Sequence, residues 1–364
     1  MRVGAVDCGT NSIRLLVADV GEPDEDGRCA LVDVVRRTEV VRLGQGVDRT
    51  GMLDPEALRR TLAVTDEYAR TCAEHGVEAM RFVATSASRD ASNAADFVTG
   101  VQQAFAAHGL EVSPEVVSGT EEAQLSFAGA TAGLAEAGVE GPYLVVDLGG
   151  GSTELVRGTD AVYEEISLDI GSVRLSERHF FSDPPQPSEV EAARWDIAEA
   201  LDRAETRVGV GGLGAIIGLA GTITTVTAHA LRLERYDSAR IHLARLTPEQ
   251  VLVSAAEIVS ADRDTRAAMP YMHPGRVDVI GAGALIWHDL VARVVEVTGP
   301  GIPVVTSEKD ILDGIALSAA SAPPELLPVP PFRPGRKARP RERSVVARGL
   351  TFLPWWGRCP RPPI

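Results

Sequence analysis

The sequence predicts an α/β fold of two similar lobes that face each other across a central cleft. Strands alternate with amphipathic helices over the first 320 residues, as in sheets that are covered by helices. The motif at residues 6–12 recurs at residues 146–152, each time between two apolar strands. A chain of 364 residues, 45% of them hydrophobic, is also long and apolar enough to fill two cores.

The first lobe is expected over residues 1–120. Asp54 and Pro55 mark the start of a helix and Gly76 its end, because they suit an N-cap, a first turn and a C-cap. The predicted strands lie at residues 2–7, 13–20, 30–39, 81–85 and 112–117, and the predicted helices at 54–76 and 93–108.

The second lobe is expected over residues 121–320. It opens with a helix from about residue 120 to 137 and repeats the strand and turn pattern of the first lobe. The predicted strands lie at residues 143–147, 153–156 and 303–306, and the further helices at 188–208, 248–261, 277–297 and 307–320.

Residues 208–230 carry no Asp, Glu, Lys or Arg and are long enough to cross a membrane. Six glycines and four threonines interrupt this stretch, which favours a buried strand, a turn and a helix instead. No secretory signal precedes the first strand, and the four cysteines are scattered. We therefore expect a cytoplasmic protein without a membrane segment or a zinc ribbon.

Charge is divided unevenly along the chain. The net charge is −15, but residues 322–364 hold nine Lys or Arg against two Glu, so the remainder carries −22. An acidic body excludes a general nucleic-acid binder, and a phosphate site in it needs backbone amides, a few arginines and a divalent cation. The Pro- and Arg-rich tail at 321–364 is predicted to be disordered, with a docking element around Trp355 and Trp356.

The two repeated turns are candidate phosphate sites. A glycine-rich turn between strands leaves backbone N–H groups free to surround an anion, and an Asp before it can hold a divalent cation. Each turn alone also fits an ordinary hairpin, but two copies with Asp at the same register favour the phosphate site. The candidates are Asp7, Asn11 and Ser12 in the first copy, and Asp147, Gly149, Gly150, Gly151 and Ser152 in the second.

Four further residues carry two interpretations each. Glu121 fits the spacing of a capping box with Ser118, or a cleft-facing base that activates water. Arg89 at a helix entrance binds phosphate or is a solvated surface residue. Thr222 lines the cleft floor or packs helix on sheet, and Glu154 joins Asp147 on a metal or faces solvent.

These motifs, in this order, resemble the exopolyphosphatase/guanosine pentaphosphate phosphatase family over about residues 1–320. The segments that carry the resemblance are residues 6–12, 84–89, 118–122, 147–154 and 221–222. The resemblance implies two ribonuclease-H-like lobes of the actin/hexokinase/Hsp70 superfamily. It also implies Mg²⁺-dependent release of the terminal phosphate of polyphosphate or of the 5′ γ-phosphate of guanosine pentaphosphate. We further expect a homodimer.

By this resemblance, Glu121 activates water, and Asp147 and Glu154 hold magnesium with Asp7 nearby. The phosphate contacts fall to Asn11, Ser12, Arg89, Gly149, Gly150, Gly151, Ser152 and Thr222.

The chain departs from the family in two places. Longer members add an HD-like helical domain that helps to bind long chains, so we expect short to medium polyphosphate here. Residues 306–314 match the family's closing segment only loosely, and no function is expected of them. Guanosine pentaphosphate hydrolysis, a small-molecule kinase of the same superfamily and a non-catalytic polyphosphate or (p)ppGpp sensor remain the alternatives.

Overall fold

The computed structural model describes residues 1–23 and 29–321. These residues contain two sheets. The strands are β1 Arg2–Cys8, β2 Ser12–Pro23, β3 Cys29–Val40, β4 Ala79–Ala84, β5 Glu115–Val116, β6 Tyr143–Leu148, β7 Thr153–Gly158, β8 Val162–Leu168, β9 Ala215–Leu219, β10 Ala244–Leu246 and β11 Val304–Thr306. The predicted disordered tail, with its docking element, lies outside the described residues apart from Ser321.

Helices cover the sheets and connect their strands. They are α1 Val47–Thr50, α2 Pro55–Glu74, α3 Ser86–Asp90, α4 Ala94–Ala106, α5 Gly119–Thr131, α6 Ser172–His179, α7 Pro187–Glu205, α8 Ala220–Ala230, α9 Ser238–Ile241, α10 Pro248–Ser260, α11 Arg263–Ala268, α12 Ile280–Thr298 and α13 Ile311–Ser321. The predicted start of α2 is confirmed, because the Asp54 side chain accepts hydrogen bonds from the N–H groups of Glu56 and Ala57.

The two sheets share one topology. The first has the order β3-β2-β1-β4-β5, and the second has β8-β7-β6-β9-β11 with β10 added at its edge. In the first sheet, β3, β2 and β1 are antiparallel neighbours, and β4 and β5 run parallel to β1. In the second sheet, β8, β7 and β6 are antiparallel neighbours, and β9 and β11 run parallel to β6. This duplicated order confirms the predicted α/β fold of two similar lobes. We call the first sheet with its helices lobe one and the second lobe two.

The domain boundaries depart from the prediction at the last helix. Residues 121–320 were expected to belong to lobe two, but α13 packs on lobe one, where Ile311, Ile315 and Ala319 share a core with Val3 and other apolar residues of β1, β2 and β4. The chain therefore returns to its first lobe at the end. The isolated 3.6-residue pattern of α13 could not show this, because it fits either sheet.

Helices α5 and α13 cross at close range at the junction of the lobes. A Cβ on Gly129 would lie 1.9 Å from the carbonyl oxygen of Asp310, and one on Gly314 would lie 2.0 Å from that of Leu125. Only glycine allows this approach. Since α5 also packs on β6, β7 and β8, it fixes the position of the segment before α13 relative to lobe two.

Some elements differ in extent from the prediction. The strand expected at 112–117 contains only β5, and the sequence did not predict β8, β10, α1, α3, α6, α9 or α11. The uncharged stretch at 208–230 forms β9 followed by α8, as predicted. None of the helices within residues 1–23 and 29–321 combines the length and apolar content needed to cross a membrane.

Candidate active site

The repeated turns form matching hairpins that meet between the lobes. Gly9 N–H donates to the Ser12 carbonyl at 2.9 Å, and Gly149 N–H donates to the Ser152 carbonyl at 3.0 Å. A Cβ on Gly150 would lie 3.0 Å from Cβ of Thr10, so the turns are in contact. The sequence repeat is therefore also a structural one.

A cavity of about 750 Å³ including open solvent lies between the lobes beside these hairpins. It contains most of the predicted site. The predicted residues that line it are Asp7, Asn11, Ser12, Asp147, Gly149, Gly150, Ser152, Glu154 and Thr222. The motif spacing and the family resemblance thus identified residues that are more than 200 positions apart in the chain and that line one cavity.

Two residues with free amide groups, Gly150 and Ser152, line this cavity, and Gly151 lies between them in the chain. Among the described residues, no protein acceptor takes the N–H groups of Gly150, Gly151 and Ser152. The Gly149 and Gly150 carbonyls are instead held by the first N–H groups of α6, at 2.8 to 3.1 Å. Because C=O and N–H of a trans peptide point in opposite directions, this anchoring turns the amides of the hairpin away from α6. The arrangement can bind an anion.

Four buried carboxylates line the same cavity: Asp7, Glu122, Asp147 and Glu154. Burial raises the pKa of Asp147 to about 6, with the nearby Asp310 charge adding to the effect. Burial also raises the pKa of Glu154, and the charges of Glu122 and Asp147 raise it further. The cluster therefore favours a bound cation or bound protons.

Hydrogen bonds orient these carboxylates. Ser126 Oγ donates to Asp147 Oδ2 at 2.5 Å, and Ser167 Oγ donates to Glu154 Oε1 at 2.7 Å. Asp7 accepts from Arg14 Nη2 at 2.6 Å, although burial still raises its pKa.

The structure corrects the position of the predicted base. Glu121 does not line the cavity: its side chain is 43% exposed and pairs with Arg81. The neighbouring Glu122 lines the cavity, and its side chain is 10% exposed. Ser118 Oγ accepts from Glu121 N–H at 3.2 Å, so Ser118 is an N-cap. Ser118 therefore caps the start of α5 through the backbone N–H of Glu121, and the carboxylate that faces the cleft belongs to Glu122.

Glu122 has the environment of a proton acceptor. Burial raises its pKa to about 7, which the paired Arg89 opposes. Arg89 Nη1 donates to Glu122 Oε2 at 3.0 Å and to the Val117 carbonyl at 2.9 Å. Arg89 does not line the cavity, so the structure gives it this carboxylate rather than a phosphate as its partner.

Two other predicted residues, Gly151 and Thr222, lie on different sides of the site. Gly151 lies at the meeting point of the lobes, where a Cβ would be 2.5 Å from Ser86 Oγ and 2.6 Å from Thr10 Oγ1. Thr222 lies in the first turn of α8 and lines the cavity, as the cleft-floor interpretation predicts.

Sequence reasoning missed three charged residues at the site. Arg14 lines the cavity and binds both Asp7 and Asp310. Asp310 belongs to the segment from which no function was expected. Arg276 lines the cavity without a carboxylate partner among the described residues, and its Nη1 donates to the Gly221 carbonyl at 3.3 Å. The signal available for Arg14 was its position within an otherwise apolar run at residues 13–18 of β2.

A magnesium ion fits this donor set. No three acidic, histidine or cysteine side chains converge as a ready-made metal site in the described ranges. Mg²⁺ commonly takes only one or two carboxylates and completes its shell with water and substrate phosphates. Asp147 and Glu154 are register partners on β6 and β7, and Asn11 Oδ1 is a buried oxygen with no partner among the described residues.

Comparison with known proteins shows the family of this chain. Residues 22–299 match the Ppx/GppA phosphatase family. The Mycobacterium tuberculosis protein named exopolyphosphatase 2 is 47% identical over 319 residues, which are 88% of this chain and 98% of that protein. A Pseudoalteromonas atlantica guanosine-5′-triphosphate,3′-diphosphate pyrophosphatase is 34% identical over 198 residues, or 54% of this chain and 36% of that protein.

Solved structures of similar proteins also share the fold of this chain. The crystal structure of an exopolyphosphatase-like protein is 42% identical and superposes with a TM-score of 0.80, covering 87% of this chain and 98% of that one. The Aquifex aeolicus Ppx/GppA family member is 30% identical with a TM-score of 0.68, covering 88% and 98%.

Proposed function

The chain belongs to the Ppx/GppA phosphatase family, and we propose that it is an exopolyphosphatase that uses Glu122 as base and Mg²⁺ as cofactor. The relative named exopolyphosphatase 2 supports the proposed reaction, which is hydrolysis of a phosphoric anhydride. Nearly the whole length of that relative aligns with this chain. The single observation that supports the site is the cavity in which free amides and buried carboxylates meet.

The amides suit the charge that develops in this reaction. In phosphoryl transfer, negative charge spreads over the oxygens of the transferred group, and fixed donors stabilise it. The N–H groups of Gly150 and Ser152 are such donors, with that of Gly151 between them in the chain, and Arg276 adds a half-buried cation at the cavity wall. Together they would bind the terminal phosphate in an otherwise acidic body.

Glu122 suits the activation of water. A general base works best when its pKa lies near the working pH, and burial raises the pKa of Glu122 to about 7. Its bond from Arg89 leaves one carboxylate oxygen, Oε1, to accept a proton from water. The proton then resides on Glu122 while water oxygen attacks phosphorus and the shortened polyphosphate leaves.

Asp147 and Glu154 would hold Mg²⁺, with Asn11 Oδ1 and Asp7 nearby. When bound, the ion would neutralise charge on the phosphates and on the two carboxylates. The repulsion among the buried carboxylates supports this assignment, because a divalent cation relieves it.

Guanosine pentaphosphate is a second candidate substrate. A second cavity, of about 1080 Å³ including open solvent, shares Arg276 and Gly221 with the first. Tyr236, Tyr271 and His273 line it, and such rings can stack on a base. The partial match to the Pseudoalteromonas pyrophosphatase also favours this candidate.

Phosphate release tests these proposals. It should be measured with Mg²⁺ and with EDTA from short polyphosphate, long polyphosphate, guanosine pentaphosphate and ATP. Release from polyphosphate that EDTA abolishes is the expected result. Release from guanosine pentaphosphate alone would favour the second candidate, and no release from any of them would contradict the hydrolase. Light scattering after gel filtration tests the expected homodimer.

A further inference from the structure

The guanidinium of Arg174 connects the two lobes beside the second hairpin. Arg174 lies in the first turn of α6, and its Nε donates to the Gly151 carbonyl of lobe two at 2.7 Å. Its Nη1 donates to Asp48 of lobe one at 2.7 Å, and its Nη2 donates to Asp90 of lobe one. The side chain is only 13% exposed. All three nitrogens therefore have acceptors, on both sides of the junction.

The corresponding bond in lobe one is made by the backbone. Asn11 occupies the position of Gly151 in the repeat, and its carbonyl accepts from the N–H groups of Val41 and Arg42 at 3.0 and 2.8 Å. Those donors follow β3, just as α6 follows β8. In lobe two the same task falls to a side chain, that of Arg174. The first hairpin is thus anchored within its own lobe, and the second depends on a residue that is also bound to the other lobe.

This anchoring bears on phosphate binding. Fixing the Gly151 carbonyl fixes the plane of the peptide that joins it to Ser152, whose N–H points the opposite way. Ser152 lines the cavity and Arg174 does not. Glycine at 151 would otherwise leave this peptide free to rotate, because glycine has the least restricted backbone.

We propose that Arg174 is a positioning residue that orients the Gly151–Ser152 amide for phosphate only while the lobes are closed. Asp48 and Asp90 hold its guanidinium in the closed state, and separation of the lobes withdraws them. Arg174 then no longer has the carboxylates that aim its Nε at Gly151. The inference rests on the proposed function, since it assigns that amide to the bound phosphate.

Arg174→Ala and Arg178→Ala form a matched pair for the test. Arg178 lies on the same helix and also binds Asp48 at 3.1 Å, but it makes no bond to the hairpin. We expect Arg174→Ala to lower kcat on polyphosphate by about 10- to 100-fold, since loss of one aligned donor has effects of this order or larger. Arg178→Ala should change kcat less than about threefold. Arg174→Lys should recover little of the lost kcat. The three acceptors are bound by three separate nitrogens of the planar guanidinium, whereas an ammonium donates from a single nitrogen.

A double variant, Asp48→Asn with Asp90→Asn, tests the link between lobes. It leaves the bond from Arg174 to Gly151 possible but weakens its hold on lobe one. We expect this double variant to lose kcat. When it is combined with Arg174→Ala, the total loss should be smaller than the sum of the two, because the effects of residues that act as one unit do not add. An unchanged kcat in the Asp variant, or an unchanged kcat in a folded Arg174→Ala protein, would overturn the proposal.

Small-angle scattering with tripolyphosphate separates this inference from the proposed function. Because Arg174 binds two carboxylates of lobe one, its ion pairs also stabilise the closed state, so Arg174→Ala should show a smaller fall in radius of gyration than the wild type. Arg178→Ala should match the wild type, because the Arg178 side chain is 36% exposed and its pair with Asp48 contributes little. Equal changes in all three proteins, or none in any, would refute the link between Arg174 and lobe closure. Absence of phosphate release by the wild type would contradict the proposed function alone, because scattering does not require turnover.

Discussion

Replacement of Glu122 by Gln is the sharpest test of the catalytic assignment. The amide keeps the size of the side chain and can still accept from Arg89, which lies 3.0 Å from Glu122 Oε2. It cannot take a proton from water. General-base catalysis contributes about 10²- to 10⁴-fold, so we expect kcat to fall by this factor, or about 3–5 kcal/mol in activation free energy.

The same substitution should stabilise the fold. Burial raises the pKa of Glu122 from 4.5 to about 7, so the folded state binds its proton more tightly than the unfolded state does. Stability therefore falls as pH rises from about 4.5 to about 7, by up to about 3 kcal/mol for this group. Gln removes that loss. The melting temperature of Glu122→Gln should exceed that of the wild type at pH 8, and the difference should vanish near pH 4.

Glu121→Gln is the matched control, because the side chain is half-exposed and faces Arg81. Phosphate release from polyphosphate should be measured for both variants between pH 5.5 and 9, at saturating Mg²⁺. The wild type and Glu121→Gln should gain kcat as pH rises through about 7, since the base must be ionised. Near-wild-type turnover by Glu122→Gln, or a large loss in Glu121→Gln alone, would refute the assignment.

Three further predictions concern stability and metal binding. Gly314→Ala should lower the free energy of unfolding by about 3 kcal/mol, because its Cβ would lie 2.0 Å from the Leu125 carbonyl. Urea unfolding would show this, with the uncrowded Gly211→Ala as a near-neutral control. Because the four buried carboxylates all have raised pKa values, more of their negative charge is present at pH 8 than at pH 5.5. Mg²⁺ should therefore raise the melting temperature more at pH 8 than at pH 5.5, and an equal rise would contradict a metal among them. Asp147→Asn should raise the Mg²⁺ concentration for half-maximal activity by roughly tenfold or more, and Asp7→Asn by less; titration of both variants would reveal the reverse order if the ion lay in lobe one.

The parts of the site that are continuous in sequence were predictable. Each hairpin keeps its Asp, its glycine and its flanking strands in one continuous segment, of 22 residues in lobe one and 16 in lobe two, so the repeat was visible without a structure. The choice between Glu121 and Glu122 was not. Neighbouring residues on a helix point about 100° apart, and only packing of α5 against lobe two decides which one faces the cavity. The capping spacing drew attention to Glu121, although the N-cap needs only the backbone N–H of that residue.

Residues joined by long-range packing were also out of reach. Arg14 and Asp310 are separated by 296 positions and meet because α13 returns to lobe one. The periodicity of a helix shows that it has an apolar face but does not show which sheet covers that face. Arg174 was missed for the same reason, since α6 itself was not expected.

The repeat and its divergence together explain where the site places its charge. Opposite Asp7 on the neighbouring strand stands Arg14, and opposite Asp147 stands Glu154. Opposed residues of antiparallel strands share one face, so lobe one pairs its acid with a cation and lobe two sets two acids side by side. In lobe one the Arg14 guanidinium neutralises Asp7 and also binds Asp310, whereas the two acids of lobe two have no cation opposite them and favour a bound cation or bound protons. One duplicated hairpin has thus become an internal ion pair in one lobe and a candidate metal site in the other.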